Sequence, residues 1–200
     1  MPRTIDYYFW MNSDWAYLGA DRLEQLAARR GASIRYMPVD LPAVYARTGG
    51  VILPKRAPER QAYRVAELKR WCKRLGIHVN ATPSFMCPDA GLASRVVIAA
   101  ESMGVRVAAL YKAILAAEWC EEQDISDATT LRAILLSQSL DADALLRLAE
   151  TPAVQAAYVR NTDAAVAAGV FGSPSYLLDG ELFWGQDRLD FLEEALQSEG

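Results

Sequence analysis

Strand-forming sequence in this 200-residue chain is confined to its two ends. Residues 4–10 (TIDYYFW) are β-branched and aromatic and almost continuously apolar, the composition of a central strand covered on both faces. Asn12-Ser13-Asp14 then supplies helix N-cap chemistry. The following segment sets Trp15, Leu18, Gly19, Leu23, Leu26 and Ala27 near one helical face and stops at Gly31. Residues 33–37 alternate, with Ile34 and Tyr36 on one side, and predict a second strand. At the other end, Ser175–Leu178 and Glu181–Trp184 flank Asp179-Gly180, a pair that tolerates the positive φ angles of a two-residue turn and so predicts a hairpin. Gln186-Asp187 opens a last helix with Leu189, Leu192 and Leu196 inward.

Between these ends the patterning is helical. Residues 38–58 carry Pro38, Pro42, Pro54 and Pro58 around Gly49-Gly50 and read as irregular. Residues 63–75 place Tyr63, Leu68, Trp71 and Leu75 at helical spacing, and another proline-containing stretch covers 80–91. No proline occurs from Leu92 to Glu150. Val107, Leu110, Tyr111, Ile114 and Leu115 form one helical stripe there, Leu131, Ile134 and Leu135 a second, and Leu145 and Leu148 a third. Thr151-Pro152 reads as a cap and first-turn proline opening a helix that ends at Gly169. The predicted order is β-α-β, helices, β-β-α. It corresponds to an α/β, thioredoxin-like domain (1–40 and 166–200) split by a large, mainly helical insertion (41–165).

Composition removes several kinds of chemistry. The net charge of −4 argues against nucleic acid or an anionic membrane as the main partner. No apolar run approaches the ~18 residues of a membrane span, and the opening residues meet Asp6 before any apolar stretch forms, so no secretory leader is read and a cytoplasmic location is expected. The three cysteines, Cys72, Cys87 and Cys120, include no C-x-x-C pair, and His78 is the only histidine. A disulfide scaffold and a zinc site are disfavoured, any triad or Cys-His pair would have to use His78, and no metal is expected. Any enzymatic activity avoids imidazole or borrows a reactive group from a cofactor.

Attention falls on the loop before the first helix. Thioredoxin-like oxidoreductases carry C-x-x-C there, because the helix N-terminus favours a thiolate. Here the four positions read Ser13-Asp14-Trp15-Ala16, which excludes dithiol chemistry at this site. A hydroxyl at a positive helix end can hydrogen-bond a foreign thiolate; Ser13 can equally be a cap and nothing more. Ser173-Pro174 directly precedes the third strand, where this fold places a cis-proline whose preceding residue turns its backbone toward the loop. An ordinary trans proline at a strand start is the alternative.

Asn12-Ser13-Asp14-Trp15-Ala16-Tyr17-Leu18, the stretch from Gly169 to Pro174 (GVFGSP) and that from Phe183 to Leu189 (FWGQDRL) resemble the 2-hydroxychromene-2-carboxylate isomerases, relatives of the kappa-class glutathione transferases in the DsbA-like group. Arg70-Trp71 and Trp119…Asp124-Ile125 fit as well, so the resemblance spans nearly the whole chain. It implies glutathione as cofactor, with Ser13 facing the sulfur, the Ser173 backbone pairing with the cysteinyl unit, and Gln186, Asp187 and Arg188 holding the γ-glutamyl end. It also implies that Arg60 stands where kappa-class relatives carry a lysine that contacts the glycyl carboxylate. The side-chain chemistry agrees, since an ammonium suits Asp187 and a carboxylate suits N–H groups at a helix start. By position alone, Asp187 is also an ordinary first-turn acid and Arg188 a surface residue.

The implied reaction is reversible thiolate addition to an aromatic, carboxylate-bearing enone, taking 2-hydroxychromene-2-carboxylate to trans-o-hydroxybenzylidenepyruvate. A kappa-type transferase or peroxidase acting on other electrophiles is the second reading, and a non-catalytic binding protein of the same fold is the third. Family members are dimers, which admits a homodimer here. The chain departs from the family in three places: Asp14 replaces a proline, Ala16 replaces a second serine, and Gly49-Gly50 replaces glycine-asparagine. Asp14 would oppose thiol ionisation if it pointed inward. Eight basic residues between 55 and 74, Arg64 among them, admit a nucleic-acid patch, but the acidic balance of the chain favours a solvated helix face with Leu68, Trp71 and Leu75 turned inward. Trp10, Trp15 and Tyr17 suit either the wall of an aromatic site or core packing. His78 reads as a surface loop residue.

Overall fold

A computed structural model describes residues 3–197. Met1, Pro2, Ser198, Glu199 and Gly200, which end the two segments assigned to the sheet domain, lie outside the described residues, as do the first two positions of the opening read for a leader. Strand β1 (Thr4–Phe9) leads through a short loop into α1 (Asp14–Arg30), which ends on Gly31 at φ 61°, and then into β2 (Ser33–Pro38). The chain returns to the sheet with the hairpin β3 (Ser175–Leu178) and β4 (Glu181–Trp184), turned by Asp179 and Gly180 at φ 49° and 90°. The sheet order is β2-β1-β3-β4, with β1 and β2 parallel and the other neighbours antiparallel.

Register builds an aromatic layer at the centre. Tyr7 lies opposite Tyr36 on one side and Tyr176 on the other, and Tyr176 opposite Phe183. The Tyr7 ring stacks on Phe9 and Tyr176 at 4.7 and 5.3 Å. Such pairs contribute about 0.5–1.5 kcal/mol each beyond their area burial.

Seven helices connect β2 to β3: α2 (Leu41–Thr48), α3 (Pro58–Leu75), α4 (Gly91–Ser102), α5 (Ala108–Trp119), α6 (Ala128–Ser137), α7 (Ala142–Ala149) and α8 (Pro152–Ala167). Ile5, Tyr7 and Phe9 point from β1 into the larger core with α1, α4, α5 and α6. Tyr8 points to the opposite face, where Val39, Val44, Ala165 and Val170 cover it. The 3-10 turn Gln186–Arg188 and α9 (Leu189–Gln197) close the chain.

The expectation of an irregular 38–58 is corrected. Asp40 accepts from Ala43 N at 3.1 Å and Pro42 occupies the first turn, so the proline starts α2 instead of breaking it. A 3-10 turn follows at Leu53–Lys55. Pro58 likewise opens α3, five residues before the first position of the expected stripe. Helix α4 carries no amphipathic signal because it is buried nearly all round, through Ala93, Ser94, Val96, Val97, Ile98, Ala99 and Ala100.

Candidate active site

Ser13 stands at the N-cap of α1 in extended conformation, with Oγ accepting from Ala16 N at 3.2 Å. Three bonds pin the loop around it. Ser13 N–H donates to Trp10 O at 3.0 Å, Asn12 Nδ2 to Pro88 O at 2.6 Å, and Trp10 N–H to Ser173 Oγ at 2.9 Å. The Ser173–Pro174 peptide is cis, so the trans alternative is not adopted, and Ser173 lies directly beside Ser13. The Ser13 hydroxyl reaches Ser173 O only at 3.4 Å. An O–H···O bond prefers about 2.5–3.0 Å, so the hydrogen is held slackly. Ser13 is thus a cap whose hydroxyl makes only this long contact as a donor and lines a cavity.

Two cavities meet beside it. The first, ≈380 Å³, has Ser13 in its lining and walls of Trp10, Leu41, Pro42, Ile52, Leu53, Pro54, Met86 and Trp119. The second, ≈560 Å³, is lined by Arg60, Gln186, Asp187 and Arg188, with Glu59, Glu67, Tyr63, Trp71 and Trp184. Trp15, Arg56, Arg64 and Ser173 line both and mark the junction. All six residues singled out from sequence therefore fall on one continuous depression. Gln186 is buried, and its side-chain oxygen already accepts from Arg22 Nη1 at 2.6 Å. Asp187 and Arg188 are exposed, 3.5 Å apart at their charged ends. Trp10 and Trp15 are half-buried walls, whereas Tyr17 packs on the core away from both cavities. His78 is exposed between α3 and α4.

The charge distribution corrects the reading of the basic segment. Arg64 is not on a solvated face: it is buried, pairs with buried Asp14 at 2.5 Å, donates to Ala81 O at 3.2 Å, and sits 5.4 Å over the Trp119 ring. Asp14 does point inward, but Arg64 matches its charge. Burial raises the Asp14 carboxyl above its ordinary value, and Arg64 and the Trp15 N–H oppose that rise. Glu118 lies behind this pair, fully buried, with Oε1 accepting from Cys87 N–H at 2.8 Å and Oε2 unpartnered. Burial pushes Glu118 up to about 8, Cys87 N–H pulls it back, and Asp14 adds to the rise. Cys87 faces the first cavity, and burial, then Glu118 and Asp14, push its thiol up to about 12. Among the described residues, no group of three His, Cys, Asp or Glu side chains could hold a metal ion. No helix there is long and apolar enough to cross a membrane.

Arg64, Arg56, Tyr45 and Glu118 were not legible as site residues. A signal existed for Arg64, which precedes Leu68 by four and Trp71 by seven and so shares their inward stripe. None existed for Glu118, whose importance comes from segments far apart in sequence.

The chain matches the DSBA-like thioredoxin domain over residues 4–197. It is 34% identical to a 2-hydroxychromene-2-carboxylate isomerase of Sphingobium xenophagum, covering 98% of this chain and 99% of that one. It is 32% identical to a protein of the same name from Pseudomonas putida, covering 96% and 93%. A solved 2-hydroxychromene-2-carboxylate isomerase superposes with a TM-score of 0.83 at 28% identity, covering 96% and 94%. A shared fold, a cysteine-free active loop and full-length relatives agree: this chain belongs to the DsbA-like thioredoxin family, in the branch of the 2-hydroxychromene-2-carboxylate isomerases.

Proposed function

We propose that this chain is a glutathione-dependent isomerase that converts 2-hydroxychromene-2-carboxylate to trans-o-hydroxybenzylidenepyruvate. The observation that carries the reading is the slack Ser13 hydroxyl where an apolar cavity meets a charged one. Both volumes lie within the roughly 300–1,000 Å³ typical of small-molecule sites.

The residues present fit glutathione. The charged cavity offers Asp187 to an ammonium and Arg188 and Arg60 to carboxylates, which matches a zwitterionic tripeptide with a carboxylate at each end. Gln186 would act there through groups other than its engaged side-chain oxygen. When bound, glutathione supplies a sulfur that adds reversibly to the conjugated system, which frees the former double bond to rotate. Ser13 donates its hydroxyl proton toward the junction while Ala16 N–H fixes the oxygen in place. The N-terminus of α1 adds its positive end to the same point. Trp10, Leu41, Ile52 and Trp119 exclude water and give an aromatic substrate apolar walls. The Asp14–Arg64 pair keeps the carboxylate beside Ser13 from opposing the sulfur's charge.

The test is ultraviolet assay of the purified chain with the hydroxychromene carboxylate. The expected result is turnover that requires glutathione and does not consume it. Stoichiometric consumption would make the chain a transferase, and turnover without glutathione would remove the cofactor from the account.

A further inference from the structure

We infer that Arg56, braced by the Tyr45 hydroxyl, seats the carboxylate of the substrate and makes the apolar cavity select aromatic anions over their uncharged analogues. The inference rests on the reading of that cavity as the substrate side of the site.

The charged side chains that line the cavity are Asp14, Arg64 and Arg56. Asp14 and Arg64 cancel in their 2.5 Å ion pair. Among the described residues, no carboxylate lies within 4.0 Å of the Arg56 guanidinium, whereas Arg64 and Arg188 each have one; Arg60, also without one, lines the second cavity and is exposed. Arg56, at the junction, is the one unmatched positive charge in the lining of the apolar cavity. A half-buried charge without a partner is costly, and an anionic ligand removes that cost.

Arg56 is also held in place before any ligand arrives. It lies between the Leu53–Lys55 turn and α3. Its N–H donates to Leu53 O at 3.1 Å, and its carbonyl accepts from Gln61 Nε2 at 2.8 Å. Its Nε donates to Val51 O at 2.8 Å and Nη2 to the Tyr45 hydroxyl at 3.3 Å. Two anchored nitrogens fix the guanidinium plane. Nη1 and the second Nη2 hydrogen have no acceptor among the described residues, which is the pair that a carboxylate takes in a forked contact. Gly50 makes room for the brace: a Cβ there would lie 2.1 Å from the Tyr45 ring, so any side chain at that position displaces the phenol.

The probes are trans-2-hydroxycinnamate and its methyl ester, which share an aromatic ring and conjugated chain and differ in charge. Each is titrated by calorimetry into wild-type protein, Arg56→Met and Arg56→Lys. Glutathione is titrated separately into all three. Charge-assisted hydrogen bonds of this kind are worth about 10- to 150-fold in affinity. The wild type is expected to prefer the acid to the ester by about that factor. Arg56→Met is expected to lose the preference while binding the ester and glutathione as the wild type does, and Arg56→Lys to recover part of it. The inference is overturned if the wild type shows no preference, or if Arg56→Met keeps it. It is equally overturned if acid and ester weaken together, or if the loss falls on glutathione instead. No chemistry is involved in these titrations, so a missing isomerase activity sinks the proposed function and leaves the anion preference measurable on its own.

Discussion

Replacing Arg64 with methionine removes the guanidinium and keeps most of the side-chain volume. In the native protein Asp14 is 4% exposed, and its carboxylate has Arg64 at 2.5 Å and the Trp15 N–H at 2.9 Å as partners. After the substitution only the N–H remains. Breaking one side of a buried pair costs about 3–5 kcal/mol, because the surviving charge stays out of water. In a domain of this size each kcal/mol moves the melting midpoint by about 2–4 °C, so a fall of roughly 6–20 °C is expected. The pH dependence has a definite sign. Burial already raises Asp14 above 3.8, and losing Arg64 raises it further. An acid whose folded value exceeds its unfolded value binds more protons in the native state, so its unfavourable effect grows as pH rises between those two values. The deficit of Arg64→Met should therefore shrink on going from pH 8 to pH 5. Asp14→Asn combined with Arg64→Met should cost less than the two single changes summed, the mark of a direct interaction. Urea denaturation followed by circular dichroism gives each number. A loss under about 1 kcal/mol at pH 7.5, the scale of an exposed pair, would refute the buried-pair reasoning.

Two further outcomes follow from Glu118, buried behind the first cavity, and from Cys87, half-buried in its wall. Glu118 has an ordinary value of 4.5 and a folded value of about 8, so native stability should fall as pH rises across that interval, and Glu118→Gln, which keeps an oxygen for the Cys87 N–H, should flatten the fall; melting midpoints from pH 5 to 9 check this, and parallel curves would contradict it. Cys87, raised from 9.0 to about 12, should react with iodoacetamide at pH 8 tens of times more slowly than an ordinary thiol, because only the thiolate attacks and its greater basicity offsets part of its scarcity; peptide mapping by mass spectrometry measures it, and labelling as fast as that of free glutathione would show a thiol no harder to ionise than an ordinary one.

The elements that touch solvent on one side were readable, because their periodicity and punctuation are local. Asn12-Ser13-Asp14, Gly31 and Asp179-Gly180 announced α1 and the hairpin by the dihedral angles they favour, and those angles are found. Helix α4 was silent for the opposite reason: burial on all sides erases the polar face that periodicity needs. The prolines in 38–58 misled because Pro42 and Pro58 sit in first turns, where a missing N–H costs nothing. Ser13 and Ser173 could be paired in advance because their positions follow from the order of strands and helices. Arg64 could not be paired with Asp14 that way: an ion pair 50 residues apart depends on how α3 crosses the first cavity. The same holds for Tyr45 and Arg56, which meet only because α2 and the turn after it fold back on each other.

The most direct measurement of the central claim is the ionisation of enzyme-bound glutathione, followed by thiolate absorbance as pH is raised, in wild-type protein and in Ser13→Ala. An unperturbed cysteine thiol titrates near 8.5. The account predicts a bound thiol well below that in the wild type and a return toward it in the alanine variant, with glutathione still bound. A bound thiol that titrates alike in both proteins would contradict the role assigned to the Ser13 hydroxyl.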